Sequence, residues 1–263
     1  MTRLRPTDAA RRQTEGLGPD HSEALARGLQ IMATFGAEHP SQSLSDVARR
    51  IDLPRATVRR ALLTMEALGY LSQDGRQFRL TPRVLHLARA YLTANGVSVL
   101  LQPVCDRIAT FAQHSCTAAV LENDEVVMIA RALPTQRVPV GAGIGYRIPA
   151  YCSALGRVLL AALPPDALDA FLARTDLRPV TPLTLTDPHA IKARIDDARR
   201  DGFCVVDGEA EAGFCSIAVP LRRFDGTVVA ALNLGAAATA ADLVAQMLPL
   251  LQAEAAALSG TLA

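Results

Sequence analysis

The chain has 263 residues, of which 50% are hydrophobic, 20% charged and 4% aromatic. This apolar content is sufficient for a hydrophobic core, and it excludes a disordered chain, a collagen-like repeat and a disulfide miniprotein. No run reaches the ~18 apolar residues of a membrane span, and residues 1–20 carry four arginines without an apolar block, so we expect a cytoplasmic protein without a secretory signal.

Charge is unevenly distributed along the chain. Residues 1–90 contain 14 Arg and no Lys against 9 acidic residues, a net charge of +5, whereas the remainder carries 13 basic and 17 acidic residues, a net charge of −4. A basic front and an acidic back are typical of a nucleic-acid-binding module joined to another module. Chance in an Arg-rich chain is the competing interpretation, because 26 of the 27 basic residues are Arg.

The front of the chain predicts three helices. Residues 1–20 are polar and aperiodic, which is typical of a disordered tail. Ser22 can cap a first helix, whose apolar residues recur at helical spacing up to Gly36. The segment 43–46 resembles a capping box and opens a second, short helix. A third helix starts at Pro54, where the missing N–H costs nothing, and ends at Gly69.

Two short alternating runs follow the third helix, and Asp74-Gly75 between them predicts a β-hairpin. Three helices and a hairpin define a winged helix–turn–helix over residues 21–82, a motif that places its last helix in the major groove of duplex DNA. A solvated, Arg-rich face on an ordinary three-helix bundle is the alternative.

Arginines on the outer face of the third helix are the main candidates for DNA contact. An Arg side chain can bind both acceptors of guanine, and Thr57 can contact a thymine methyl or a phosphate. Arginines of the second helix and of the wing tip lie where phosphates would pass. The predicted DNA contacts are Ser45, Arg49, Arg50, Arg55, Thr57, Arg59, Arg60 and Arg76.

A linker helix over 83–96 is predicted between Pro82 and Asn95-Gly96, and residues 97–263 form the second module. The pattern predicts helices at 97–113, 153–162, 165–174, 188–200 and 240–258, with strands at 116–121, 126–130, 203–206, 215–219 and 227–234. Hairpin strands mixed with helices indicate an α+β chain whose second domain is an α/β sandwich around a mainly antiparallel sheet.

The helix start at Ser153 is the most informative stretch of the second module. Its free N–H groups and positive dipole end would suit the carboxylate of an aromatic or keto acid, although an ordinary capped helix gives the same pattern. Arg137 is a candidate for pairing a second carboxylate. Ser216 and Asn233 are polar residues on otherwise apolar strands, and buried polar groups need a partner, which can be a ligand, a backbone carbonyl or water.

Three other features are interpreted as structural. The glycine-rich stretch 141–145 lacks nucleotide-binding spacing and is taken as a loop. The acidic stretch 207–211 is expected to be a solvated loop at the rim of the pocket rather than a catalytic or metal site. The five cysteines form no Cys-x-x-Cys pair. A strand would place His114 and Cys116 on one face, as a metal pair requires, but we interpret them as two unrelated residues at a helix–strand corner, so no cofactor and no metal are expected.

These motifs resemble the IclR family of transcriptional regulators, in the branch that controls protocatechuate, 4-hydroxybenzoate and β-ketoadipate catabolism. In the front module the resemblance rests on residues 43–50, 53–62 (including RATVRR), 68–70 and 78–85. In the back module it rests on residues 145–151, 153–161, 200–203 and 213–220. It covers about residues 22–260.

The resemblance implies a GAF-like second domain that binds a small carboxylic-acid effector. It places Ala154 and Leu155 on one side of the cavity and Asp207, Ser216, Asn233 and Gly235 opposite. It also implies paired DNA-binding domains, hence a homodimer, or a tetramer of two dimers, on an operator.

Three alternatives stay open at this point. The chain is a regulator of another pathway with a different organic acid, a DNA-binding protein whose back domain only forms oligomers, or an enzyme with Cys152 or Cys215 as nucleophile. The enzyme interpretation is disfavoured because no His can be placed beside a Cys.

Overall fold

The computed structural model describes residues 16, 18–94, 96–134, 143–237 and 240–262. The chain divides into two compact units, Met1–Ala90 and Tyr91–Ala263, so the division falls inside the predicted linker helix. Most of the predicted tail, the stretch 135–142 with the candidate Arg137, and Asn95 lie outside the described residues.

The first unit is a winged helix–turn–helix, as the sequence predicts. The described elements are α1 (Glu23–Met32), β1 (Gln42–Ser43), α2 (Leu44–Arg50), α3 (Arg55–Ala67), β2 (Leu71–Asp74) and β3 (Gln77–Leu80). Antiparallel pairing gives the strand order β1-β3-β2. The short strand β1 was not predicted, because two residues are too few to show an alternating pattern.

Local signals position these helices. Ser22 caps α1 and Ser43 caps α2, and the Ser43–Asp46 capping box is confirmed, with each side chain accepting a hydrogen bond from the other residue's backbone N–H. The hydrogen bond that the Ser43 hydroxyl donates to the Asp46 carboxylate, followed by the one from Ser43 N–H, lowers the pKa of Asp46. The helix α1 ends at Met32, earlier than predicted, because its final turn tightens into i→i+3 hydrogen bonds from Thr34 and Phe35.

The core of the first unit forms where α3 packs against the other helices and the hairpin. Val58, Leu62 and Met65 line one side of α3 and are buried with Ile31 and Phe78. Gly69 follows α3 with a φ of 78°, a conformation that glycine adopts without strain, and turns the chain into β2. The buried stripe therefore leaves the opposite side of α3 facing solvent.

The second unit is built on a six-stranded antiparallel sheet of order β6-β5-β4-β9-β8-β7. The predicted hairpin strands and the three later strands are present, each within a few residues of the expected bounds, and β6 is additional. Helix α4 (Leu85–Ala94) precedes this sheet in sequence. The strands are β4 (Ser115–Glu122), β5 (Glu125–Ala132), β6 (Arg147–Pro149), β7 (Cys204–Asp207), β8 (Cys215–Arg222) and β9 (Val228–Ala236).

Helices cover both faces of the sheet. On one face, buried residues of α5 (Gly96–Ala112) and α9 (Ala240–Ser259) pack with Cys116, Ile217 and Leu234. On the other face, α6 (Ala154–Leu160), α7 (Pro165–Arg174) and α8 (Pro188–Asp201) pack with Ala119, Ala218 and Ala231. We call the second one the α6 face of the sheet.

No single described helix has the length and apolarity to cross a membrane; Pro82–Thr93 and Val97–Ala112 pass that test only as a bent pair, by length and composition.

Candidate DNA interface and effector site

Three of the predicted contact residues on α3 are exposed arginines. Arg55, Arg59 and Arg60 lie off the buried stripe formed by Val58 and Leu62. Within the described residues none of these arginines forms an ion pair, whereas Arg49 and Arg79 pair with Asp46 and Asp74. Unpaired guanidinium groups on one helix face are available to bind phosphates or guanine edges.

The remaining predicted contacts surround this helix. Ser45 and Thr57 are half-buried, and Arg76 is exposed in the turn between β2 and β3. Arg49 is 78% exposed at its side chain, and Arg50 donates from Nε to Gln42 Oε1 at 3.2 Å. The arginines of α2 and α3 and the wing therefore present cationic groups from three elements of one domain.

The predicted effector residues at the start of α6 are buried. Ser153 caps α6, its Oγ accepting a hydrogen bond from Gly156 N at 3.1 Å, and is 6% exposed. Ala154 and Leu155 pack in the core between α6 and the sheet. The cap uses the Gly156 N–H and one lone pair of the Ser153 hydroxyl, so a ligand at this helix start would meet the other N–H groups or the Ser153 O–H.

Strand register brings three predicted residues to the α6 face. Ser216 lies opposite Gly235, and Asn233 lies opposite Ala218, whose methyl group belongs to the cluster on that face. Opposed residues of neighbouring strands share a face. Asp207 differs: it is exposed and lies opposite Cys215, whose side chain packs on the other face, so the register does not group it with these three.

The register also identifies two residues that the sequence analysis missed. Asn233 of β9 lies opposite Thr117 of β4, and Thr117 lies opposite Arg131 of β5. We call Arg131, Thr117 and Asn233 the polar row of the α6 face. Alternation within β5 was the available signal, but the predicted strand ended at residue 130 and left Arg131 outside it.

A buried ion pair corrects the interpretation of the acidic loop. Glu209 was expected in a solvated loop, but it is 8% exposed and accepts two hydrogen bonds from Arg157, at 2.8 and 2.7 Å. Arg157 also donates to Tyr151 O at 2.8 Å, and Glu209 accepts from Leu185 N at 3.0 Å. A fully hydrogen-bonded pair explains how a carboxylate can be buried here.

This ion pair holds a loop that places an aromatic ring beside the polar row. The loop is closed by a hydrogen bond from Gly208 N to Phe214 O at 3.0 Å. The Phe214 ring lies so close to Gly235 that a Cβ atom there would be 2.2 Å from Phe214 Cζ. Gly235 shares the α6 face with Asn233, two residues away, so Phe214 supplies an aromatic wall next to that amide.

A substitution at Gly156 tests the packing of α6 on the turn before it. A Cβ atom at Gly156 would be 2.1 Å from Ala150 O, so backbone must move. We expect Gly156→Ala to lower the free energy of unfolding by about 1–3 kcal/mol or more. The matched control is Gly28→Ala in α1, where a Cβ meets open space and the change should stabilise by roughly 0.5–1 kcal/mol. Chemical denaturation measures both; equal effects would contradict the packing argument.

Cys152 and Cys215, the two candidate nucleophiles, do not have the properties of reactive cysteines. Burial raises the pKa of Cys152 to about 11 and also raises the pKa of Cys215. Both thiols are therefore protonated at neutral pH, whereas the thiolate is the reactive form. The described residues contain no group of three or more His, Cys, Asp or Glu side chains that could hold a metal ion.

A winged helix with unpaired arginines, carried by the same chain as a sheet-and-helix domain with a polar row on its inner face, defines a DNA-binding regulator with a second, sensing-type domain. Comparison with protein families agrees: residues 24–75 match the IclR helix-turn-helix domain and residues 89–259 match the bacterial transcriptional regulator IclR C-terminal domain. The chain belongs to the IclR family of transcriptional regulators.

Two relatives and one solved structure illustrate the similarity. The Pca regulon regulatory protein of Pseudomonas putida is 40% identical over 89% of this chain and 82% of its own length. The p-hydroxybenzoate hydroxylase transcriptional activator of Acinetobacter baylyi is 33% identical over 89% of both. An IclR homolog from Microbacterium hydrocarbonoxydans, crystallised with 4-hydroxybenzoate, is 29% identical with a TM-score of 0.77, covering 91% of this chain and 99% of that one. The family consists of regulators, so the enzyme alternative is excluded.

Proposed function

We propose that this chain regulates genes of aromatic-acid catabolism by binding an operator with its first unit and an aromatic carboxylic acid with its second. The assignment to this pathway rests on the 40% and 33% identity to regulators of the Pca regulon and of p-hydroxybenzoate hydroxylase. The 4-hydroxybenzoate complex of a third relative supports the ligand class. We place the protein in the cytoplasm, where its operator is.

The DNA half of the proposal assigns roles by exposure and charge. Arg59 and Arg60 of α3 read base edges, because they are exposed, unpaired and off the buried stripe. The other proposed contacts position the domain on phosphates: they are Ser45, Arg49, Arg50, Arg55, Thr57 and Arg76. One winged helix reads few base pairs, so we infer that the protein binds DNA as a homodimer or as a tetramer of two dimers. The operator should then be a pseudo-palindrome whose half-sites lie about 10 bp, or a multiple of that, apart.

The effector half assigns the acid to the α6 face. Ser216, Asn233 and Gly235 line that face, and α6 with Ser153, Ala154 and Leu155 packs over it. The effector acts by binding one arrangement of the oligomer more tightly than another, which shifts the population that fits the operator. Asp207 is left out of this assignment because it lies on the other face of the sheet. Arg137 stays a prediction of the sequence analysis.

The proposal is tested with the full-length protein and promoter fragments from its own genomic neighbourhood. A gel shift should show a salt-sensitive complex, because phosphate contacts release counterions. Addition of 4-hydroxybenzoate or protocatechuate should change the fraction bound, and the same acids should raise the melting temperature. Pyruvate and glyoxylate serve as keto-acid controls.

Two results would contradict the proposal in different ways. A response to the keto acids and not to the aromatic acids would assign the chain to another pathway. A complex that no acid alters, together with an unchanged melting temperature, would indicate a second unit that only forms oligomers.

A further inference from the structure

The polar row contains two buried atoms without partners. Arg131 Nε and Asn233 Oδ1 are inaccessible to solvent, and neither has a hydrogen bond. Both belong to the α6 face, because the residues flanking them in sequence, Ala130 and Ala132 on β5 and Leu232 and Leu234 on β9, pack on the opposite face. Unsatisfied buried polar atoms are uncommon, and each requires an explanation.

The surroundings of Arg131 leave its charge uncompensated. Arg131 forms no ion pair with any described residue, and its Nη1 reaches only the thioether sulfur of Met128, at 3.5 Å. Burial lowers the pKa of Arg131, while Glu211 and Tyr146 raise it from a distance. Burying part of a guanidinium costs free energy that a bound anion offsets, so an anion is the partner that suits this position.

The backbone holds Arg131 in place before any ligand arrives. Gln102 of α5 accepts a hydrogen bond from Arg131 N at 3.1 Å and donates to Arg131 O at 2.9 Å. The side chain therefore projects from a strand position that is fixed on both backbone groups. Preorganisation of this kind reduces the entropy lost on binding.

The spacing of the row suits an aromatic ring with substituents at both ends. Arg131 and Asn233 lie on strands separated by β4, so their Cα atoms are about 10 Å apart, twice the spacing of neighbouring strands. Their side chains shorten that gap, with Thr117 between them and the Phe214 ring beside Asn233. A hydroxyl group both donates and accepts, so it satisfies the Asn233 amide in either orientation.

We propose that Arg131 binds the carboxylate of the effector and that Asn233 hydrogen-bonds a hydroxyl group across the ring, so that the site selects hydroxylated aromatic acids. This inference rests on the proposed function and deepens it, by naming the anion partner and the determinant of ring substitution. Arg131 thereby takes the carboxylate that the sequence analysis assigned to the helix start at Ser153; Arg137 was a candidate only for a second carboxylate.

The test uses the full-length protein and three probes: 4-hydroxybenzoate, benzoate without the hydroxyl group, and 4-hydroxybenzyl alcohol without the carboxylate. Wild-type affinity should fall in that order, measured by calorimetry. Arg131→Met, which keeps the apolar stem, should weaken binding of both acids by about tenfold or more and leave the alcohol unaffected. Asn233→Ala should weaken the binding of 4-hydroxybenzoate and leave the binding of benzoate unaffected.

The controls separate folding from recognition. Arg222→Met changes an exposed arginine of β8 and should leave all three affinities unchanged. The unliganded Arg131→Met protein should melt at or above the wild-type temperature, because a half-buried charge without an ion pair has been removed. Equal loss of acid and alcohol binding would show a structural role and overturn the assignment.

Failure of this inference is distinguishable from failure of the proposed function. If wild-type protein binds 4-hydroxybenzoate and Arg131→Met binds it equally well, the carboxylate lies elsewhere and only this inference is overturned. If wild-type protein binds neither aromatic acid, both are overturned.

Discussion

Arg157→Ala should lower the free energy of unfolding by about 3–5 kcal/mol, because it leaves the Glu209 carboxylate buried without its cation. Glu209 would keep the single hydrogen bond from Leu185 N, and Tyr151 O would lose a donor. Chemical denaturation of the full-length protein, followed by circular dichroism, measures the loss. The loop of residues 208–214 should also become more accessible to proteases, since Arg157 is its anchor on α6.

Two further variants distinguish the cost of breaking this buried ion pair from the cost of breaking an exposed ion pair. Lys192→Ala breaks the exposed pair with Asp169, whose atoms are 2.7 Å apart, and should cost no more than about 1 kcal/mol. The double variant Arg157→Met with Glu209→Leu removes both charges and should recover part of the stability lost by Arg157→Ala. Equal costs for Arg157→Ala and Lys192→Ala would mean that water reaches the Arg157–Glu209 pair.

The double variant Arg59→Ala with Arg60→Ala should abolish specific operator binding and leave the fold intact. Each bidentate contact between an arginine and guanine is worth about 1–3 kcal/mol, so two contacts correspond to a loss of roughly 30-fold to 10⁴-fold. Neither side chain contributes to the buried core, so the melting temperature should not change. Gel shifts with the operator measure specific affinity, and gel shifts with unrelated DNA measure non-specific affinity.

The single variants and an exposed arginine of the other unit complete this experiment. If Arg59 contacts a base, Arg59→Ala should relax base preference at one operator position. If Arg59 contacts a phosphate instead, the substitution should weaken binding to all sequences equally and reduce the salt dependence by about one counterion. Arg178→Ala, 79% exposed at its side chain, should leave binding unchanged. Wild-type operator affinity in the double variant would exclude α3 as the reading helix.

The two halves of the molecule differ in how their function depends on structure. On α3 the important arginines lie on a single helix, and their exposure follows from the helical period. On the α6 face, by contrast, the polar row takes one residue from each of three strands, and the Phe214 wall depends on an ion pair between residues 52 positions apart. Substitutions that disturb strand register should therefore impair effector binding before they impair operator binding.

The sequence by itself determined the helices, the hairpin wing, the outward arginines of α3 and the antiparallel sheet, because caps, turns and periodicity are local properties of the chain. It also determined the family, through motifs that extend over both modules. Only the tertiary structure decided that Glu209 is buried against Arg157, that Asp207 lies away from Ser216 and Asn233, and that Arg131 points into the α6 face beside Thr117. The physical reason is that burial of a charge and the sharing of a sheet face depend on which distant segments pair and in which register, and a one-residue shift in register moves every side chain to the other face.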